Sequence, residues 1–258
     1  MNAGPSGPVF LYLRLYLVLC CFSMSLDKHV VIFSIGRSGS TLLQACFNSV
    51  PRVLIRGENN NFHHYLFLGY RSILDAPSRI GHLKEQPDMP WFGYQNYNAA
   101  EYLSFVSDLS ERFLLDSPVD CDSFDVVGFK EIRVFDEYSA LIRRRGVEDA
   151  EEYLAQYLDF LGLIFPGLRC LHLKRSVDDV LRSRWWARRD DKDILRGEMN
   201  SFNRSMSSLS SSSFLETLDY SDLRSGKEGY LADIMSRVLG ISVDARSISR
   251  VLETRLTH

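Results

Sequence analysis

Short apolar runs alternate along the chain with longer stretches whose apolar residues recur every three to four positions, and this alternation sets the expectation for the fold. VVIFSI, residues 30–35, is a β-rich apolar run that stops at Gly36, and STLLQACFNS after it has helical spacing. RVLIRG, running up to Glu58, is a second short strand, and DVVGFKEIRV, 125–134, a third. EDAEEYLAQYLDFLGLIF reads as an amphipathic helix, LRCLHLKR, 168–175, as the next strand, and Val177 to about Trp186 as a further helix. FLETLDYSDL is a last strand and turn, and LADIMSRVLGI a closing helix ended at Gly240. Strands alternating with helices predict a parallel sheet covered on both faces. The expected fold is therefore α/β, a P-loop-like three-layer α/β/α arrangement with about five strands.

Three stretches depart from this rhythm. Residues 59–120 are rich in Asn, Tyr, His and Trp, with helical spacing only in AAEYLSFVSDLSERFLLD, and read as an insertion or lid shaping a substrate pocket. SMSSLSSSS, 205–213, reads as a Ser-rich loop or turn. Residues 9–26 hold fifteen apolar positions of eighteen but carry Arg14 inside the run. That stretch is marginal for a membrane span, which wants about 20 apolar residues. Leu15 to Phe22 alternatively forms a signal-peptide core, or translation starts at Met24 and residues 1–23 are an upstream extension. The expected organisation is an apolar N-terminal segment, 1–28, and an α/β domain, 29–258. A start at Met24 implies a cytoplasmic protein; the targeting readings imply membrane association through 9–26, or the secretory pathway and Golgi. Only in the latter case does the sequon Asn203-Arg-Ser205 matter.

Composition narrows the function classes. The chain has 258 residues, 45% of them hydrophobic, and 30 basic against 33 acidic side chains give a formal net charge of -3. Enough chain is present for a sizeable core, so a disordered protein is excluded. The near-neutral balance argues against a nucleic-acid partner held by many cations. Cysteines stand at 20, 21, 46, 121 and 170 with no CxxC or Cys/His ligand spacing, so no metal or disulfide framework is expected.

The most informative stretch is VVIFSIGRSGSTLLQ, where an apolar strand runs into Gly36, Gly39, two hydroxyls and a helix. Glycines permit a tight backbone, successive N–H groups and the helix N-terminus face an anion, and Ser40 and Thr41 add hydroxyl donors. The loop is not a Walker A motif, which places Lys directly before the Ser or Thr; here the basic residue is Arg37, ahead of Gly39.

These residues resemble the sulfotransferases that use 3'-phosphoadenosine 5'-phosphosulfate, PAPS. In that family a loop of the form [KR]-S-G-[TS]-[TS] after the first strand binds the 5'-phosphosulfate, and Arg37-Ser38-Gly39-Ser40-Thr41 matches it throughout. A second family element is a strand ending in Arg with Ser eight residues later, together holding the donor's 3'-phosphate. Arg175 and Ser183 supply it here, about 140 residues after the loop. LDYSDL resembles the family's strand followed by a Tyr-x-acid turn, which makes Tyr220 a candidate contact for the adenine end. The resemblance implies a nucleotide sulfate donor, a hydroxyl-bearing acceptor (carbohydrate, small alcohol or protein tyrosine) and no metal.

Sulfuryl transfer needs a base for the acceptor proton and positive donors for the charge that moves. Glu58 is the candidate base, because ligands of open α/β sheets sit at the carboxyl ends of strands. Arg56-Gly57-Glu58 is also similar to the Arg-x-Gly-Glu of tyrosylprotein sulfotransferases, whose Glu is the base. The cytosolic branch uses a His two residues after a Lys; here Lys130 is followed at that spacing by Ile132, so the His-based site is absent. His63 and His64 compete as loop histidines that reach the pocket or pack. Arg37 and Lys130 are the expected donors to the transferred group, and Glu131 and Arg133 are expected to pair with each other across one strand face. Of Trp185 and Trp186, one is expected to pack and the other to line a cleft. Two rivals stand beside the transferase reading: a nucleotide or small-molecule kinase with a degenerate P-loop, and a non-catalytic donor-binding or membrane-tethered interaction protein.

Overall fold

The computed structural model describes residues 28–115, 123–210, 214–225 and 227–256. The N-terminal apolar segment, Cys121 and the last serines of the 205–213 stretch lie outside these residues. No described helix is long and apolar enough to cross a membrane.

Five strands form one parallel sheet: β1 (His29–Ser34), β2 (Val53–Arg56), β3 (Val126–Glu131), β4 (Arg169–Lys174) and β5 (Leu215–Asp219), in the spatial order β2-β3-β1-β4-β5. The central strands are buried on both faces, which is why they read as unbroken apolar runs. Val31 and Phe33 of β1 enter one core and Val30 and Ile32 the other, as the twofold alternation of strand side chains requires.

The first core is covered by helices α2 (Phe62–Ile80), α3 (Ala99–Leu114), α4 (Val134–Arg145), α5 (Val147–Ile164) and, further on, α8 (Lys192–Leu209). The second is covered by α1 (Ser40–Asn48), α10 (Glu228–Leu239) and α11 (Ala245–Leu256). Between β4 and α8 lie α6 (Val177–Leu181) and α7 (Arg184–Ala187), and α9 (Tyr220–Arg224) follows β5. The chain leaving β1 thus turns to one face of the sheet and the chain leaving its neighbour β4 to the other. Such a pair opens a crevice at the carboxyl edge, the general ligand position in open α/β sheets.

Several elements differ from the sequence expectation. The third strand stops at Glu131, not Val134. Arg133 is already in a helical conformation, φ -82°, and its N–H is taken by the Glu131 side chain, so Val134 opens α4. The stretch after Asn59 is a 19-residue helix, α2, rather than irregular. His63 and His64 are buried on its inner face, and reading them as polar hid the helical period. The helix expected from Val177 to Trp186 is broken: Ser183 is extended, φ -95° and ψ 125°, and Arg184 has φ 41°. Ser205 and Ser207 lie inside α8, with hydroxyls donating to the carbonyls of Ser201 and Asn203 four residues back. Gly240, φ 64°, ends α10 as expected, but the chain continues into α11, which packs on α1.

Candidate functional site

The turn from β1 into α1 is built around two left-handed residues, Arg37 at φ 75° and Gly39 at φ 94°. Ser38 closes it by donating its N–H to the Ile35 carbonyl at 3.1 Å. Gly39 is required twice over. Its φ disfavours a side chain, and a Cβ there would lie 2.3 Å from the Tyr220 ring. The first N–H groups of α1 have no carbonyl one turn back and point out of the helix end.

From β4, Arg175 reaches this turn. Its Nη1 donates to the Arg37 carbonyl at 3.0 Å, and its guanidinium lies 4.5 Å from the centroid of the Tyr220 ring. Arg175 Nε is buried with no hydrogen-bond partner among the described residues. Ser183 Oγ accepts from Arg37 Nε at 3.3 Å. Arg175 and Ser183 are thus brought together through Arg37, one on its carbonyl and the other on its side chain. The break before α7 supplies this geometry, and a continuous helix would not.

Of the two tryptophans one packs, as expected, and the other stands half exposed beside the turn. Trp186 is buried and donates from Nε1 to the Gly36 carbonyl at 3.0 Å. Trp185 is half exposed, lies against Gly36 and carries the Arg37 guanidinium 5.7 Å above its ring.

On the other side of the turn, Lys130 leaves the end of β3. It is buried, its Nζ donates to Thr41 Oγ1 at 2.9 Å, and it pairs with Glu58 Oε1 at 3.3 Å. Glu58 follows β2 and is 37% exposed, so its carboxylate meets both the lysine and solvent. A carboxylate, a buried ammonium, a threonine hydroxyl and a helix N-terminus therefore meet within a few ångströms at one strand edge. That set can bind an anion, accept a proton and stabilise negative charge.

The expected Glu131–Arg133 pair does not form. Glu131 Oε1 accepts the Arg133 backbone N–H at 2.9 Å, while the Arg133 guanidinium turns to Asp136 at 3.6 Å. The two histidines pack. His63 is fully buried and stacked on Phe129, and burial lowers its pKa to about 3. His64 lies under Tyr153, whose hydroxyl is 2.6 Å from Nδ1; burial lowers its pKa and Glu137 opposes the shift.

Behind Arg175 and Tyr220 opens a cleft of about 900 Å³. Lys174, Arg204 and Arg224 give it positive charge that Asp179 and Asp219 offset in part, and Asn200, Asn203 and Ser207 of α8 line one wall. Asn200, Arg204 and Ser207 carried no signal as pocket residues because α8 was not expected as an element. Among the described residues, no group of three or more His, Cys, Asp or Glu could hold a metal ion.

The chain matches no protein-family model and no curated protein. Among solved structures, the sulfotransferase STF9 from Mycobacterium avium superposes with a TM-score of 0.45 at 11% identity, covering 97% of this chain and 72% of that one.

Proposed function

We propose that the protein transfers a sulfuryl group from PAPS to a hydroxyl of an acceptor. One observation carries this reading. An anion-binding turn after β1 is joined by Arg37 to Arg175 and Ser183 after β4, while Lys130 and Glu58 meet its Thr41 from the opposite side. The loop 36–41 is suited to the 5'-phosphosulfate, and Arg175, with its unpaired Nε, and Ser183 to the 3'-phosphate. The cationic cleft beyond Tyr220 has the volume and the polar lining for a nucleoside.

In this reading the acceptor oxygen attacks sulfur as its proton passes to Glu58. The new bond is S–O(acceptor), the bond that breaks is sulfur to the bridging oxygen, and the electron pair leaves on the bisphosphate. Lys130 and Arg37 stabilise the charge that develops, as in phosphoryl transfer, where positioning and electrostatics dominate. Because Lys130 is paired with Glu58, it also holds that side chain beside the reacting centre. The acceptor is a carbohydrate, a small alcohol or a protein tyrosine.

The test needs no acceptor. Binding of 3'-phosphoadenosine 5'-phosphate is measured by calorimetry against adenosine triphosphate with magnesium, for the wild type and Arg175→Ala. Binding at about micromolar Kd that weakens at least tenfold in the variant supports the reading, since a charged hydrogen bond contributes about 1.5–3 kcal/mol. Tight triphosphate binding without selectivity for the bisphosphate overturns it in favour of a kinase.

A further inference from the structure

Apart from the donor cleft, an open cleft of about 570 Å³ lies between α1 and α11. At one end it reaches Thr41, an exposed residue whose hydroxyl accepts from Lys130 at 2.9 Å. Lys130 in turn pairs with Glu58 at 3.3 Å, so the end of the cleft is two contacts from the candidate base.

Its place along the sheet edge suits an acceptor. In-line displacement puts the attacking oxygen on the side of sulfur away from the leaving group. The strands run in the order β2-β3-β1-β4-β5. Arg175 and Tyr220, beside the donor cleft, follow β4 and β5; the loop 36–41 follows β1 in the middle; Lys130 and Glu58 stand at the ends of β3 and β2. Under the proposed function, a nucleoside in the first cleft directs its sulfuryl group across the loop toward the β2 side, where the second cleft begins at Thr41.

The wall formed by α1 is fixed in advance. Gln44 Nε2 and Asn48 Nδ2 both donate to the Ile55 carbonyl of β2, at 2.9 and 3.0 Å, and Asn48 Oδ1 accepts the Ile55 N–H at 2.6 Å. These bonds lock α1 to the strand that leads into Glu58. The lining is mostly polar: Thr41, Gln44 and Asn48 from α1, Ser49 at its end, and Arg250 and Thr254 from α11. Ala45 and Val251 are its apolar side chains, and no aromatic ring stands on the wall. A phenol or a lipid chain finds little surface there to bury, whereas a sugar finds donors and acceptors for its hydroxyls. Among the described residues, Arg250 is the one charged side chain of the lining, with no carboxylate facing it from the wall. A guanidinium binds a carboxylate through two parallel hydrogen bonds. Clefts of about 300–1,000 Å³ hold small ligands, and this one has room for roughly one or two sugar rings.

We propose that this cleft is the acceptor site and that the acceptor is a saccharide carrying an acidic group, held by Arg250 while one hydroxyl faces Glu58 and Lys130. The proposal rests on the sulfuryl-transfer reading and narrows its acceptor. The sugar hydroxyl oxygen takes the sulfuryl group and its proton passes to Glu58. The bisphosphate leaves with the electron pair, and the acidic group is unchanged.

The experiment uses the full chain and three probes: the methyl glycoside of glucuronic acid, the methyl glycoside of glucose, which lacks the carboxylate, and phenol, which lacks the sugar. Turnover is bisphosphate release from PAPS above the rate with water alone, and probe binding is read by saturation-transfer NMR. The glucuronic acid glycoside is expected to turn over with kcat/KM at least about tenfold above the glucose glycoside, the scale of one charged hydrogen bond, and phenol to stay at the water rate. Arg250→Ala, at an exposed position, brings the two glycosides within about threefold of each other through KM, and Arg250→Lys restores part of the preference. Ala45→Trp fills the cleft and lowers kcat/KM for both glycosides at least about tenfold, with bisphosphate Kd within about threefold of wild type by calorimetry. Should Trp at 45 prevent folding, Arg250→Ala decides. Equal turnover of the two glycosides by the wild type, an unchanged preference in Arg250→Ala, transfer to phenol alone, or bisphosphate binding with transfer to none of the three overturns the proposal. If the wild type does not bind the bisphosphate, the sulfuryl-transfer reading falls and the acceptor role with it. Saturation transfer to the glucuronic acid glycoside that Arg250→Ala abolishes then keeps the cleft as a site for an acidic sugar, and no such signal removes that as well.

Discussion

The buried Glu131 carboxyl makes stability fall with rising pH in a defined window. Burial pushes its pKa from 4.5 up to about 7, against the hydrogen bond from the Arg133 N–H, and the charge of Glu58 adds to the rise. Below pH 4.5 the proton is bound in folded and unfolded chains alike. Between 4.5 and about 7 only the folded chain keeps it, so each step up in pH favours unfolding; above 7 the loss is complete. At about 1.4 kcal/mol per tenfold change in proton affinity, the ionised group costs the fold on the order of 3 kcal/mol. Tyr153 and Tyr157 of α5 face the same carboxyl and feel its charge, but burial raises their own pKa values and they stay neutral throughout the window. His63 and His172, buried and lowered to about 3 and about 4, act in the opposite sense, losing stability as pH falls below 6.5. The difference between wild type and Glu131→Gln isolates the carboxyl. Urea denaturation at pH 5, 6, 7 and 8 should show Glu131→Gln gaining about 2–3 kcal/mol relative to wild type from the lowest pH to the highest. Parallel stability curves for the two proteins would refute the burial argument.

Three further outcomes follow from the geometry. Glu58→Gln keeps bisphosphate affinity within about threefold, because the residue meets Lys130 rather than the loop backbone, while transfer falls at least about a hundredfold, as loss of a general base does; equal loss of binding in calorimetry would contradict its role. Gly39→Ala forces an unfavourable φ costing about 1–2 kcal/mol and displaces Tyr220, so thermal unfolding shifts down and bisphosphate binding weakens; Gly162→Ala in α5, where a Cβ meets open space, is the control and gains up to about 1 kcal/mol. Gly128→Ala puts a Cβ 1.8 Å from the Val30 carbonyl oxygen, which forces β1 from β3 at the centre of the sheet; destabilisation above about 4 kcal/mol is expected by denaturation, and a value under 1 would show that the strands adjust.

Legibility in the sequence tracked how local each determinant is. The central strands β1 and β3 announced themselves because a strand buried on both faces is an apolar run, which Gly36 ends in β1, whereas β2 and β5 are only half buried. The loop 36–41 was readable for the same reason: its glycines, hydroxyls and Arg37 are contiguous. Helices were harder where polar residues face inward. α2 was hidden by His63 and His64, and α8 by serines that bond back to their own helix. Least legible were contacts decided by direction rather than identity. Glu131 and Arg133 have complementary charge and strand spacing, yet the chain turns helical between them and each finds another partner. The kink that turns Ser183 toward Arg37 rests on one φ value at Arg184, which no residue preference announces.

The link between Arg37 and Arg175 spans 138 positions of sequence. During vectorial synthesis the loop 36–41 is complete long before its counterpart leaves the ribosome, and loop closure of that length is slow compared with local helix formation. A chain in which β2, β3 and β1 have paired already holds Lys130 beside Thr41, but it has no grip on a second phosphate. Under the proposed function, affinity for the bisphosphate is complete only once β4 has docked along β1. Under that proposal, bisphosphate binding during refolding serves as a clock for that docking, separate from any signal of helix content.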